Sequence, residues 1–386
     1  MEIKTCRIHQ IAIPFTTSFK HSLAETTGVR SIVFEVELQS GTRGYGECVP
    51  RSYVTGETVG SVMDGLAEHI IPGLTHLSFA SWQEVLGWLK EFKRHFPNLP
   101  YRALCTRTAF ELAMLDAAGK EFGVHAASML GGKKKESLKY SAIISAEKPE
   151  KVKSLLSIYK EAQFSEVKIK VGHHEENDTE NILLAREILG AKASIRVDAN
   201  ASWDLPEAKR RLQSMAKLGV VSCEQPMPVS LKESYPALCE FVSESMYIAI
   251  DESLCSIEDG RWFAENRGAT LFNLRVSKNG GLLSALELWE IAGNHGIACQ
   301  LGAQVGETSL LSAAGRTLAS ITGDLIFHEG SFGRYLLKND LTETSVEFGI
   351  GGIGYMNELE DSFGLGVDVN PDLLEEMVMT QAEEVA

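Results

Sequence analysis

Residues 166–224 decide the fold, because three short apolar runs alternate there with segments of helix length. The runs read EVKIKV at residues 166–171, SIRV at 194–197 and VVSC at 220–223. Their apolar residues are nearly continuous, which is typical of strands buried on both faces of a parallel sheet. The segment between the last two runs carries Pro206 where a first helical turn is expected. This stretch therefore predicts repeated strand and helix units.

The same rhythm extends along most of the chain and gives eight apolar runs. The runs lie at residues 140–144, 166–171, 194–197, 220–223, 247–250, 271–276, 298–302 and 324–327. Eight such units predict an α/β protein with a closed, TIM-like (β/α) barrel ringed by helices. A doubly wound open sheet is the alternative.

The chain before residue 131 has a different pattern. Residues 3–47 alternate in the strand period and predict an antiparallel meander, and three amphipathic helical stretches follow. We therefore expect an α+β domain over residues 1–130 and the barrel over 131–340. Residues 341–386 lose the rhythm and are expected to return to the first domain.

Composition excludes several classes of function. The 386 residues carry 37 Lys and Arg against 52 Asp and Glu, a formal charge of -15 that disfavours nucleic-acid and anionic-membrane partners. No apolar run is long enough to span a membrane and the amino terminus does not resemble a secretory signal, so we expect a cytoplasmic protein. The seven cysteines are scattered without a Cys-x-x-Cys pair. They are expected to be reduced core residues.

Three acidic residues follow three consecutive predicted strands. They are Asp198, Glu224 and Asp251. The active site of such a barrel lies at the carboxyl ends of its strands, so these carboxylates should share one mouth. An all-oxygen ligand set suits Mg²⁺ better than zinc. Any one of the three could instead cap a following helix.

Lysines stand on both sides of these acids. Lys168 and Lys170 are two apart on the second strand and share a face. Lys278 follows the sixth strand, so it should face Lys170 across the mouth of an eight-stranded ring. A lysine among cations would have a lowered pKa and could act as a general base. The pattern predicts a metal-chelated carboxylate substrate that loses its α-proton to form an enediolate, with a lysine on each face.

Five motifs together resemble the enolase superfamily, in particular its muconate lactonizing enzyme subgroup. They are Lys168-Ile169-Lys170, Asp198-Ala199-Asn200, Glu224-Gln225-Pro226, Asp251-Glu252-Ser253 and Lys278-Asn279-Gly280-Gly281. Residues 44–47 and 110–120 are similar to the family's capping domain. The resemblance covers nearly the whole chain and implies a modified barrel of enolase type with an α+β amino-terminal capping domain. The enediolate mechanism is already known for this superfamily.

The resemblance implies a role for each site residue. Asp198, Glu224 and Asp251 would bind Mg²⁺, with Mn²⁺ as a possible substitute. Lys170 and Lys278 would be the acid/base pair, supported by Lys168.

Residues beside these are implied more loosely. Asn200 would lie behind the metal ligands, Glu252 would lie behind them or contact substrate, and Glu307 resembles a glutamate that follows strand seven in cycloisomerases. The mandelate racemase subgroup instead uses a histidine at the end of strand seven. Here His295 precedes that strand, so that subgroup is disfavoured.

Substrate specificity is expected from strand eight and from two lid segments, at about residues 19–27 and 49–58. Dipeptide epimerases resemble one another in an Asp-x-Asp motif at strand eight, which this chain lacks. Glu329 stands there instead and either binds a cationic substrate group or caps a helix. Lys20, Arg51 and Tyr53 are the candidate lid contacts, although exposed Lys or Arg side chains on loops are often only solvated.

The sequence therefore predicts a Mg²⁺-dependent isomerase acting on a small-molecule carboxylate, by racemisation, epimerisation or cycloisomerisation. A lyase of the o-succinylbenzoate synthase type and a catalytically silent binding relative remain alternatives. A homo-oligomer is expected by default. The substrate, the stereochemical course and the oligomeric state do not follow from the sequence.

Overall fold

The structure is a computed structural model that describes residues 1–21, 24–74, 77–132, 136–145, 147–356 and 362–385. The side chains of residues 17–21, 24–26 and 380–385 lie outside that description. Within the described residues, no helix is long and apolar enough to cross a membrane. All seven cysteines are buried and free.

A four-stranded antiparallel sheet forms the centre of the amino-terminal domain. Its strands are β1 (Ile3–His21), β2 (Ala24–Leu38), β3 (Arg43–Cys48) and a strand from the end of the chain, β13 (Val378–Val385). The order is β13-β1-β2-β3, so the carboxyl-terminal segment adds an edge strand to this sheet. Alternating apolar residues of β1 and β2 form a buried face, and β2 is buried at every position from Ser31 to Leu38.

Helices cover that face. They are α1 (Val59–Asp64), continued by a π-helix (Gly65–Ile70) and a 3-10 turn (Ile71–Gly73), then α2 (Trp82–Lys90), α3 (Phe92–His95), α4 (Leu104–Phe122) and α5 (Ala126–Met129). The α4 helix lies directly on β3 because Gly44 and Gly46 have no side chains. A Cβ at Gly44 would lie 2.3 Å from the backbone nitrogen of Ala117, and one at Gly46 would lie 2.1 Å from the carbonyl oxygen of Ala109. This close contact fixes the position of β3 against α4.

The second domain is built on a seven-stranded, wholly parallel sheet. Its strands, in spatial and chain order, are β5 (Ala142–Ile144), β6 (Glu166–Lys170), β7 (Ser194–Asp198), β8 (Val220–Glu224), β9 (Tyr247–Ile250), β10 (Leu271–Leu274) and β11 (Ala298–Leu301). The helices after them are α6 (Pro149–Glu161), α7 (Glu175–Leu189), α8 (Leu205–Lys217), α9 (Tyr235–Val242), α10 (Ile257–Glu265), α11 (Leu282–Asn294) and α12 (Ser309–Thr322). Seven strand and helix units are therefore present.

The eighth predicted strand is not formed, and residues 324–327 are irregular chain. The ring closes at His328, whose backbone makes parallel bridges to both Tyr140 and Leu301. Ile326 is exposed, so this run is not buried on both faces as a central parallel strand would be. The architecture is a modified barrel with seven regular strands and one irregular closing segment.

The last part of the chain contacts both domains. Within it, β12 (Ile353–Tyr355) pairs antiparallel with β4 (Ser137–Lys139), just before the first barrel strand. Two short helices, α13 (Gly333–Leu336) and α14 (Pro371–Met377), flank this region. The final strand β13 then pairs with β1.

Candidate active site

The carboxyl ends of the barrel strands surround a cleft of about 70 Å³. It is lined by Arg51, Tyr53, Val54, Ile143, Lys168, Lys170, Asp198, Asn200, Asp251, Glu252, Arg275, Ala303, Gln304, Val305 and Glu329. Both domains contribute, because the first three of these residues belong to the amino-terminal domain. Charged side chains of both signs therefore face one small space.

Three buried carboxylates lie at neighbouring strand ends. Asp198 ends β7, Glu224 ends β8 and Asp251 follows β9. Asp198 and Glu224 are direct partners in the parallel register. Because each strand delivers its acid at the same edge of the sheet, the three share the mouth of the barrel.

The two lysines of β6 contact these acids. Lys168 Nζ lies 3.2 Å from Glu224 Oε1, 3.8 Å from Asp198 Oδ2 and 2.6 Å from Glu329 Oε2. Lys170 Nζ donates to Asp198 Oδ2 at 2.9 Å and to Asn200 Oδ1 at 2.6 Å. Both ammonium groups are thus held on the β6 side of the cleft.

The carboxylates around Lys168 determine its charge state. Burial lowers the pKa of this ammonium, but the carboxylates of Glu224, Glu329 and Asp198 raise it by more, so it stays above its ordinary value. The pKa of Asp198 is lowered, since the charges of Lys170 and Lys168 outweigh the effect of burial. Acids rather than cations dominate the surroundings of Lys168, which therefore keeps its positive charge. The lowered pKa expected of the general base stays a prediction.

Lys278 is the main correction to the predicted site. Its side chain is 0% exposed and does not line the cleft. Its ammonium donates to Asp251 O at 2.7 Å, Asp251 Oδ1 at 2.9 Å and Asn273 O at 2.9 Å. These bonds use all three N–H donors, so Lys278 ties the end of β9 to β10 and has no donor left to direct at the cleft or at Lys170.

Arg275 occupies the position that the sequence analysis assigned to Lys278. Its guanidinium pairs with Asp251 Oδ2 and lies 3.4 Å from Glu224 Oε1. Arg275 directly follows β10, one residue beyond its last residue Leu274, so its place at the strand end could have identified it. Lys278 lies in the turn beyond the strand, where alternation no longer determines direction.

The donor set at the mouth fits Mg²⁺ chemically. In the part of the chain that is described, no three Asp, Glu, His or Cys side chains are already gathered around a common point. The acids instead contact Lys168, Lys170 and Arg275. Beside them one buried oxygen, Glu252 Oε2, accepts no hydrogen bond from the described residues, whereas Asp251 Oδ2 contacts the guanidinium of Arg275. Carboxylate oxygens at three strand ends, with a further unsatisfied carboxyl oxygen next to them, suit a hard divalent cation.

Asn200, Glu252 and Glu329 were also predicted at the site, and each makes different contacts there. Asn200 joins Lys170 to Glu252, since its Nδ2 donates to Glu252 Oε1 at 3.1 Å. Burial, followed by the charge of Asp251, raises the pKa of Glu252 to about 8. Glu329 lines the cleft but is paired with Lys168 and with Arg196, at 2.8 Å, so it neither caps a helix nor presents a free charge.

Glu307 lies outside the cleft, in a neighbouring cavity of about 250 Å³. It accepts a hydrogen bond from the backbone of Gln304 at 2.5 Å, and burial raises its pKa to about 8. This larger cavity shares Gln304 and Glu329 with the cleft. It therefore offers adjoining room for the rest of a substrate.

The lid candidates are only partly described. Arg51 lines the cleft and donates to Val305 O at 2.8 Å, which holds this segment over the barrel. Tyr53 lines the cleft and is 44% exposed. The side chain of Lys20 lies outside the described residues, and its backbone belongs to β1 rather than to a loop.

Gln225 is a positioning residue that the sequence analysis did not identify. Its Oε1 accepts from the backbone N–H groups of Asp251 and Ser253, at 2.9 and 3.2 Å, and so ties the end of β8 to the end of β9. Gln225 has φ 40°, and Asn200 and Ala201 have φ 40° and 64°. Such conformations are uncommon outside glycine and cluster at functional sites.

The fold and the cleft define a class, namely barrel enzymes whose strand-end carboxylates and lysines act on a small anionic substrate. A family model described as "Enolase C-terminal domain-like" matches residues 151–373, more than half of the chain. The chain belongs to this family and, with it, to the enolase superfamily.

Several characterised relatives resemble the chain over most of its length. The N-succinyl-L-Arg/Lys racemase of Bacillus cereus is 26% identical over 99% of both chains, and its crystal structure matches with a TM-score of 0.90. The D-Ala-D/L-Ala epimerase of Cytophaga hutchinsonii is 27% identical over 78% of this chain and 79% of its own. Muconate cycloisomerase 1 of Rhodococcus opacus is 26% identical over 93% of this chain and 94% of its own.

These relatives are isomerases that act on amino-acid derivatives or on muconate. A dipeptide epimerase from Cytophaga hutchinsonii has been solved with Mg and the dipeptide D-Ala-L-Val, and matches with a TM-score of 0.88 at 24% identity over 99% of this chain and 100% of that one. At that identity the structural match supports the fold.

Proposed function

We propose that this chain is a Mg²⁺-dependent enzyme that removes the α-proton of a small carboxylate and passes through an enediolate. The product would form by racemisation, epimerisation or cycloisomerisation, as in the relatives, and a lyase reaction would begin with the same step. The observation that carries the proposal is the joint position of Lys168 and Lys170 beside Asp198 in one cleft. Family membership supports it.

Lys170, Lys168 and the three carboxylates would each have a different role in the reaction. Lys170, in its neutral form, would accept the α-proton, and Asp198 and Asn200 hold its Nζ in place. Lys168 keeps its charge between Glu224 and Glu329 and would stabilise negative charge that develops on the substrate carboxylate. Mg²⁺, held by Asp198, Glu224 and Asp251, would supply further positive charge to that carboxylate. We also propose that Mn²⁺ can substitute.

The cleft would favour a small anion once Mg²⁺ occupies its acids, because its four cations are otherwise matched by Asp198, Asp251, Glu252 and Glu329. Arg51, Lys168, Lys170 and Arg275 all line it, and the adjoining cavity can accept a further group of the substrate. A location in the cytoplasm and a homo-oligomeric assembly remain predictions.

Hydrogen exchange tests the proposal directly. The purified enzyme with Mg²⁺ is incubated in D₂O with N-succinyl amino acids, dipeptides and muconolactone, and loss of the α-proton signal is followed by NMR. We expect exchange with at least one class, and its disappearance in chelator. For Lys170→Met we expect the exchange rate to fall by ~10³-fold or more, because general bases typically contribute 10²–10⁴-fold.

A matched control keeps the test specific. Lys217, exposed on α8 and distant from the cleft, is changed to Met and should leave the exchange rate unaltered. Full exchange in thoroughly chelated enzyme would exclude the metal role. Separately, calorimetric titration of Asp251→Asn with Mg²⁺ should show weaker binding than wild type.

A further inference from the structure

The two sides of the cleft carry cations of different chemistry. Lys168 and Lys170 end β6, and Arg275 follows β10. Three strands lie between β6 and β10 in the sheet. In a closed ring this places the lysines and the arginine on opposite sides of the mouth.

Arg275 is anchored on its side of the cleft. Its guanidinium contacts Asp251 and Glu224, and its Nη1 lies 3.4 Å from Gln304 Oε1. Its backbone N–H donates to Asn279 Oδ1 at 2.8 Å, which fixes the turn that follows β10. The side chain is 12% exposed, and that exposed part faces the cleft.

The remaining lysine near this side cannot replace it. Lys278 has its three donors satisfied by Asp251 and by Asn273, and it is fully buried. Reaching a substrate would break three hydrogen bonds and leave Asp251 with Arg275 as its remaining cation. The Arg275 side therefore presents a guanidinium and no amine.

An arginine guanidinium is already protonated under ordinary conditions, so it has no lone pair with which to take up a proton and does not readily release one. Arg275 thus remains a fixed positive charge. It can bind an anionic oxygen or a departing anionic group but does not exchange protons with carbon.

We infer that proton transfer to and from the substrate α-carbon occurs only on the Lys170 side, so the enzyme catalyses a one-base reaction and does not interconvert enantiomers. This inference rests on the proposed function and narrows its set of possible reaction types. It favours cycloisomerisation or elimination over racemisation, which needs a proton donor on each face. Among the relatives, it places the chemistry nearer to the muconate cycloisomerase than to the racemase.

The proton and the electrons balance in such a reaction. Lys170 accepts the α-proton, the C–H electron pair becomes the second bond between the α-carbon and the carboxyl carbon, and the C=O π pair moves onto the carboxylate oxygen to give the enediolate. When the enediolate collapses, the oxygen pair re-forms C=O, the α-carbon pair forms a double bond to the β-carbon, and the β-carbon–oxygen bond breaks so that its electrons leave with the oxygen. Arg275 stabilises the departing anion, and the proton held by Lys170 passes to solvent. The reverse sequence adds a carboxylate oxygen across a double bond.

The stereochemistry of exchange tests the inference. Enzyme with Mg²⁺ in D₂O is given N-succinyl-L-lysine, N-succinyl-D-lysine, L-Ala-L-Glu, L-Ala-D-Glu and muconolactone, and both α-deuteration and chiral composition are measured. We expect deuteration of only one isomer of a pair, or elimination from muconolactone, with no appearance of the opposite enantiomer. Interconversion of a pair would overturn the one-base inference alone. Absence of exchange with every compound would contradict the proposed function, and the inference would fall with it.

Two further measurements make the result independent of one substrate. Arg275→Lys provides an amine on the second side, so deuteration of the previously inert isomer should rise by ~10²-fold, the usual contribution of a positioned base. Without any substrate, reductive methylation of the native enzyme followed by peptide mass analysis should label Lys170 at least ~10-fold faster than Lys278, since exposure governs access. Equal labelling of the two lysines would refute the placement of Lys278 outside the cleft.

Discussion

Lys170 and Lys278 are both positively charged, but they differ in burial and in their hydrogen-bond partners. Lys170 has two described partners and 11% of its side chain remains exposed. Lys278 is fully buried and donates to a carboxylate and to two backbone carbonyls. The first side chain is available for chemistry, whereas the second is part of the structure.

Replacing each lysine by methionine should separate these roles. We expect Lys278→Met to lower the free energy of unfolding by ~3–5 kcal/mol, because it leaves Asp251 buried with one cation fewer. Lys170→Met should cost less than Lys278→Met, since 11% of the Lys170 side chain is exposed and Lys168 stays 3.8 Å from Asp198, while abolishing α-proton exchange. Urea denaturation followed by circular dichroism measures both. A Lys278→Met variant as stable as wild type would contradict the structural role.

A cluster of charged and polar side chains closes the barrel at the position where an eighth strand is missing. Arg196 on β7 points into the barrel, where its Nη1 lies 3.0 Å from Gln300 Oε1 on β11 and 2.8 Å from Glu329 Oε1 on the closing segment. Its Nη2 donates to Ser141 Oγ at 2.8 Å, and its guanidinium lies 4.4 Å from the ring centre of Phe327. One side chain therefore joins both edges of the sheet to the irregular chain between them.

We expect Arg196→Met to be strongly destabilising. The change leaves Glu329 buried with Lys168 as its single close cation and removes donors from Ser141 and Gln300, which should cost ~3–5 kcal/mol in the free energy of unfolding. The double variant Arg196→Met with Glu329→Gln removes the unpaired charge and should recover part of that loss. Denaturant titration compares the two. If the double variant is less stable than the single one by the full cost of Glu329→Gln alone, the two residues act independently and the closure argument fails.

The sequence predicts a strand where the strand has a local pattern of its own, such as a continuous apolar run. Continuous apolar runs marked the seven regular strands closely, as residues 166–171 against Glu166–Lys170 show. The run at 324–327 carries the same composition, but its pairing depends on the single bridging residue His328, which no local pattern reveals.

Side-chain direction at the strand ends was predictable only where the strand continues. Asp198 and Glu224 are the last residues of their strands, so the barrel rule placed them at the mouth. Lys278 lies four residues beyond the end of β10, in a turn whose geometry is set by Asn279 and glycines. The inward contacts of Arg196 and Gln225 are long-range, and nothing nearby in the sequence reports them.

Across the whole molecule, buried acids of the amino-terminal domain bind the amino ends of barrel helices. Glu111 on α4 accepts from Leu283 N at 3.0 Å, at the start of α11. Gly281 makes room for it, because a Cβ there would lie 2.4 Å from Glu111 Oε1. Glu47 on β3 accepts from Thr308 Oγ1 at 2.6 Å and from Leu311 N at 3.2 Å, at the start of α12. The two domains are therefore joined through carboxyl groups that are removed from water.

This arrangement makes the domain contact sensitive to pH. Burial raises the pKa of Glu47 from 4.5 to about 7, and the nearby charge of Asp340 adds to this, against the hydrogen bonds from Thr308 and Leu311. Glu307 also faces Glu47. A carboxyl group whose pKa is raised on folding stabilises the folded state while it is protonated, below the unfolded value. That contribution is lost as the pH rises through the folded value.

Glu47→Gln should remove this pH dependence, because an amide keeps the acceptor without ionising. Its free energy of unfolding relative to wild type should increase between about pH 4.5 and pH 7 by ~3 kcal/mol and then level off, as each pKa unit corresponds to 1.36 kcal/mol. Thr308→Ala, which weakens the contact but keeps the carboxyl group, should retain the pH dependence. Denaturation curves across this range measure the difference. If Glu47→Gln is less stable than wild type by the same amount at every pH, the helix terminus binds the ionised carboxylate and burial does not govern its titration.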